Sequence, residues 1–96
     1  MLEIEPRHLE RVRAILAEHV PDCEAWAFGS RAQGEAKPYS DLDVALLASE
    51  PVTPRRLALL DDAFRESDLP FKVDILDLAT ASADFRALIE ETRAPL

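Results

Sequence analysis

Cysteine is nearly absent from this 96-residue chain. Cys23 stands alone, which excludes an intrachain disulfide and leaves no basis for a cysteine-built zinc site. Its apolar surroundings in sequence favour a buried, inert thiol. Long hydrophobic runs are missing too: none approaches the roughly 20 apolar residues that a membrane-spanning helix needs. The opening Met1-Leu2-Glu3-Ile4-Glu5-Pro6 has neither the basic start nor the apolar stretch of a secretion signal. The expected address is the cytoplasm, with no membrane partner. Positive charge is scarce as well, since 11 Lys and Arg face 19 Asp and Glu, for a net charge of −8. Such a surface is poorly suited to a nucleic-acid backbone, which needs basic side chains. Local basic spots such as Arg55–Arg56 remain, and an acidic surface suits a basic protein partner at least as well.

What remains is the composition of an ordinary globular protein, 48% hydrophobic and 31% charged. That length supports one modest core, so residues 1–96 are read as a single domain. Repeats, linkers and low-complexity tracts are not evident.

Leu9, Val12, Leu16 and Val20 recur at helical spacing behind Pro6, predicting a helix from Pro6 to about Val20. Cys23–Phe28 reads as a short strand. Gly29–Ser40 contains both glycines of the chain and is expected to be a loop, with one helical turn at Ser30–Gln33. Asp41–Ala48 reads as a second strand, with Leu42, Val44 and Leu46 on one face. Pro54 opens a second long helix to about Glu66, with Leu57, Leu60 and Phe64 on one side. A third strand, Phe71–Leu78, points Phe71, Val73 and Ile75 toward the core. Thr80 or Ser82 caps a last helix carrying Phe85, Leu88 and Ile89. The fold class is α/β: a small mixed three-stranded sheet backed by helices, in the order α-β-loop/short α-β-α-β-α.

The chemistry concentrates in Ser40-Asp41-Leu42-Asp43-Val44. Side chains alternate along a strand, so Asp41 and Asp43 share one face, with Cα atoms roughly 7 Å apart. Aspartate forms strands poorly, and two like charges on one face call for a counter-charge. A divalent cation is a natural one, because Mg²⁺ takes one or two carboxylates and completes its shell with water and substrate phosphates. A solvated strand end carrying two aspartates is the plain alternative for that pair taken alone. Asp74 changes the balance: the core set Phe71, Val73 and Ile75 leaves it on the opposite face, able to converge on Asp41 and Asp43 if the strands are neighbours. Three carboxylates on one sheet face can hold two metal ions. Asp77 is a rival third ligand, but its parity puts it with the core set, and it is expected to end the strand, exposed.

Gly29-Ser30 directly follows the first strand. A glycine there lets backbone N–H groups approach an anion, and the start of a helical turn adds favourable partial charge. Ser30 offers a hydroxyl and Arg31 a fixed positive charge for phosphate oxygens.

The run Gly29-Ser30-Arg31-Ala32-Gln33-Gly34, then Ser40-Asp41-Leu42-Asp43-Val44 and later Val73-Asp74, resembles the signature of the DNA polymerase beta-like nucleotidyltransferases. Within that superfamily it is most similar to the minimal nucleotidyltransferases, over essentially the whole chain. The resemblance implies that Asp41, Asp43 and Asp74 bind metal and carry catalysis, with Asp74 helping to activate the acceptor hydroxyl. It implies that Gly29 and Ser30 hold the nucleotide phosphates and that Arg31 supports them. Gln33 departs from the pattern, standing where a basic residue is frequent, which weakens one phosphate contact.

The same resemblance implies Mg²⁺, two ions, as cofactor and ATP as substrate. Its implied activity is transfer of AMP to a hydroxyl, a tyrosine of a HEPN-domain toxin encoded nearby, with this chain as the antitoxin of a toxin–antitoxin pair (type VII). Two alternatives stand beside it: a non-catalytic nucleotide-binding antitoxin acting by contact, and transfer to a small molecule. The latter lacks a second domain to build an acceptor pocket, which a homo-oligomer would have to supply.

Other residues carry weaker signals. His8 and His19 lie about three turns apart on the first helix and do not share a metal. Tyr39 could stack on a base but reads as a loop tyrosine, and Trp26 as core or interface.

Overall fold

A computed structural model describes residues 2, 4–34 and 40–96, apart from the side chains of Ser30 and Gln33. Helix α1 (Pro6–His19) leads into strand β1 (Glu24–Phe28), the single turn α2 (Ser30–Gln33) and strand β2 (Leu42–Leu47). Helix α3 (Pro54–Glu66), strand β3 (Val73–Asp77), a 3₁₀ turn (Leu78–Thr80), helix α4 (Ala83–Thr92) and strand β4 (Ala94–Pro95) complete it. The helix starts follow local chemistry. Proline stands in the first turn of α1 and α3, where its missing N–H costs nothing. Thr53 Oγ1 accepts from the Arg56 N–H at the start of α3, and Ser82 Oγ accepts from the Phe85 N–H at the start of α4.

Among the described residues the sheet has four strands in the order β3-β2-β1-β4, not three. The extra strand is two residues long and pairs antiparallel with β1, Trp26 opposite Pro95 and Ala27 opposite Ala94. Two residues carry no readable alternation, and proline is admitted because this is an edge. The sheet is mixed, as the sequence predicts: β1 and β2 run antiparallel, whereas β2 and β3, joined through α3, run parallel.

Alternation along the strands divides the two faces. Ala27, Leu42, Val44, Leu46 and Val73 are buried and pack with Val12, Leu16, Leu60 and Phe64 of α1 and α3. The opposite face is only partly covered: Ile89 of α4 packs with Ala45 and Leu78, flanked by Trp26, Phe28 and Leu76. Phe85 and Leu88 of α4 stay exposed. At the other end of the sheet Arg56 pairs with Asp22 and donates to the His19 carbonyl, tying α3 to the end of α1. Cys23 is half-buried, not buried as its apolar neighbours in sequence suggest, and desolvation, with Asp22 adding, pushes its thiol pKa up.

Asp77 corrects the sequence reading. It keeps core parity but is buried, not exposed, at 5%. Its Oδ2 accepts from the Val52 N–H at 2.8 Å and its Oδ1 from the Ala79 N–H at 3.0 Å. Two amides hold this carboxylate and make it a peg between the turn before α3 and the 3₁₀ turn. A buried acid survives in a core when its oxygens are satisfied in this way.

Candidate active site

The face left open by α4 presents three residues in one row across three strands. Phe28 of β1 stands opposite Asp43 of β2, and Asp43 stands opposite Asp74 of β3. The parallel register therefore brings together the two carboxylates that strand parity placed on the same face. Asp41 lies just before β2 and is exposed, while Asp43 and Asp74 are half-buried. The strand entries are joined at this level, where the Leu42 N–H donates to the Lys72 carbonyl at 2.9 Å.

The electrostatics are those of crowded anions. Asp43's pKa is raised, first by desolvation and then by the negative charges of Asp74 and Asp41. Lys72 answers part of this charge, its Nζ lying 3.2 Å from Asp74 Oδ1. Lysine at 72 is two residues before Asp74 on the same face, so strand parity could have found it.

Gly29 is held against the row. Its φ is +75°, a region that side chains rarely adopt. A Cβ on it would collide with Asp43 Oδ2. Both facts demand glycine, and together they set the turn that opens α2 directly beside a carboxylate. The turn closes with the Ala32 N–H donating to the Gly29 carbonyl at 3.1 Å. The Ser30 side chain lies outside the described atoms, and Tyr39 outside the described residues.

Arg31 does not extend from this turn into solvent. It is buried, with Nε donating to the Ser40 carbonyl at 2.9 Å and its guanidinium 4.4 Å from the centre of the Phe71 ring. His8, half-buried, meets that ring edge-on, and His19 sits at the far end of α1. Trp26 is covered by the guanidinium of Arg93.

Among the described residues, no three His, Cys, Asp or Glu are arranged to cage an ion unaided. The donor chemistry nevertheless fits Mg²⁺, which binds hard oxygens and usually fills its shell from one or two carboxylates, water and substrate phosphates. Asp43 and Asp74, opposite each other in the parallel register, supply two such carboxylates, and the pKa of Asp43 is raised by its desolvation first and by Asp74 and Asp41 second.

Across residues 10–95 the chain matches the family described as polymerase beta, nucleotidyltransferase. It belongs to that family. The chain is a nucleotidyltransferase, and it is 50% identical over 90 residues to a probable protein adenylyltransferase, MntA, of Haemophilus influenzae. That match covers 94% of this chain and 79% of the relative. Among solved structures, a toxin–antitoxin with AMP-PNP superposes with a TM-score of 0.75 at 25% identity, covering 90% of this chain and 69% of that one. A mutant of the toxin–antitoxin pair MntA–HpeT gives 0.74 at 26% identity, covering 92% and 70%. The mixed sheet with helices behind it is the nucleotidyltransferase fold. No helix among the described residues is long and apolar enough to cross a membrane.

Proposed function

We propose that this chain transfers AMP from ATP to a tyrosine hydroxyl of a partner protein, a HEPN-domain toxin, and thereby acts as its antitoxin. The observation that carries the reading is the register of Asp43 against Asp74 with Gly29 packed on Asp43. That arrangement puts the Gly29 turn and an acidic face in direct contact, which supports reading the turn as the phosphate site. The likeness to a protein adenylyltransferase supports the donor and the protein acceptor, and the likeness to a toxin–antitoxin holding AMP-PNP supports the setting.

In this reading residues 1–96 act as one domain. Backbone N–H groups following Gly29, with the Ser30 hydroxyl, receive the triphosphate. Asp41, Asp43 and Asp74 would hold two Mg²⁺ ions. When bound, these ions would neutralise the triphosphate and polarise the α-phosphorus. The acceptor oxygen forms a bond to that phosphorus, the bond to the β-phosphate oxygen breaks, and pyrophosphate leaves. Asp74 takes the hydroxyl proton. Lys72, paired with Asp74, offsets part of its charge. Alignment and charge stabilisation supply most of the rate.

Co-expression tests the reading. The intact mass of the partner should rise by whole AMP units with the wild-type chain and stay unchanged with Asp41→Asn/Asp43→Asn. Suppression of toxicity should be lost in the same double variant while the complex still forms. Full suppression by that variant would instead identify an antitoxin that works by contact.

A further inference from the structure

Arg31 stands in the middle of the motif that begins at Gly29, where the sequence suggests a contact to phosphate. In the structure it points inward and is only 6% exposed. One edge of its guanidinium donates to the Ser40 carbonyl, and its face lies over the Phe71 ring. Ser40 immediately precedes Asp41, and Phe71 lies three residues before Asp74. Between these two anchors the Leu42 N–H meets the Lys72 carbonyl. A side chain rooted in α2, two residues after Gly29, therefore grips the entries of both acidic strands.

We propose that Arg31 is a positioning residue, fixing the distance between the phosphate-binding turn and the three carboxylates through Ser40 and Phe71, not through the nucleotide. The role needs a planar group with a donating edge and a stacking face at once. Arginine provides both, whereas lysine keeps the charge but has neither the fork nor the plane. The inference rests on the adenylyl-transfer reading for its kinetic consequence, while its structural consequence stands independently.

The test compares wild type, Arg31→Lys and Phe71→Leu by three readouts: amide exchange of Leu42 in the free protein, Mn²⁺ affinity without nucleotide by paramagnetic resonance, and steady-state adenylyl transfer. Arg31→Lys is expected to speed Leu42 exchange and to weaken Mn²⁺ binding. It should lower kcat by about 100-fold, the scale of an ångström of misplacement, with the KM for ATP nearly unchanged. Phe71→Leu should move all three in the same direction by less. A raised KM for ATP, with kcat, Mn²⁺ affinity and Leu42 exchange as in wild type, would make Arg31 a phosphate ligand and overturn the proposal. Wild-type values throughout would overturn it too. If Arg31→Lys loses amide protection everywhere, Phe71→Leu decides. A wild-type chain that transfers nothing would count against the functional reading alone, because exchange and Mn²⁺ binding would still decide the role of Arg31.

Discussion

Asp43 and Asp74 face each other across parallel strands, and Asp43 is the carboxylate whose pKa the site raises. Desolvation is the larger cause and the neighbouring aspartates the smaller. A group whose folded-state pKa exceeds its unfolded value stabilises the fold below the unfolded pKa, here 3.8, and loses that contribution as pH rises through the folded value. At neutral pH the ionised Asp43 is therefore a destabilising residue in the metal-free protein. Asp43→Asn should abolish transfer and shift Tm upward, modestly because solvent screens this half-exposed carboxylate. It should also flatten the fall of stability with pH just above pH 3.8. Thermal melts across pH, with circular dichroism to confirm the fold, check this.

The same crowding makes stability sensitive to divalent ions. Mg²⁺ with a non-hydrolysable ATP analogue should raise the Tm of the wild type, and chelation should reverse it, because a ligand of the folded state alone stabilises by mass action. Asp41→Asn/Asp43→Asn should show little response. Differential scanning fluorimetry with and without chelator measures both.

Gly29→Ala should cost about 1–3 kcal/mol, the range for backbone held in a sparsely populated region. The added Cβ also presses on Asp43 Oδ2, so transfer should fall further than stability explains. Denaturant unfolding gives the first quantity and kcat at saturating ATP the second.

Asp77 predicts the opposite pattern. Asp77→Ala removes the acceptor for the Val52 and Ala79 amides and should cost about 1.5–3 kcal/mol, the worth of hydrogen bonds to a charged group. Urea unfolding checks the loss. Because Asp77 sits at the far end of β3 from Asp74, activity per folded molecule should stay close to wild type below the melting range.

Much of this was legible in the chain because local and global signals agree. The spacing of Leu9, Val12 and Leu16 gave α1 to within a residue of its end, and Pro54 marked the start of α3. Strand parity put Asp43 and Asp74 on the same face, and the parallel pairing of β2 with β3 made them neighbours. What stayed hidden depends on contacts between distant segments. Strand β4 exists because Ala94 and Pro95 reach β1, not because of any pattern of their own. Asp77 ends a strand like many exposed aspartates, and only the turn before α3, 25 residues away, provides the amide that buries it. Arg31 sits in a turn expected to contact phosphate, yet Phe71, from the far end of the loop after α3, provides the surface that turns it inward.

The account turns on whether these carboxylates move an adenylyl group to a protein. Purified chain, purified partner, Mg²⁺ and α-³²P-ATP would be combined, with wild type and Asp41→Asn/Asp43→Asn run side by side. The account predicts label on the partner with wild type and none with the variant. Label from both, or a stable complex that takes label from neither, would contradict it.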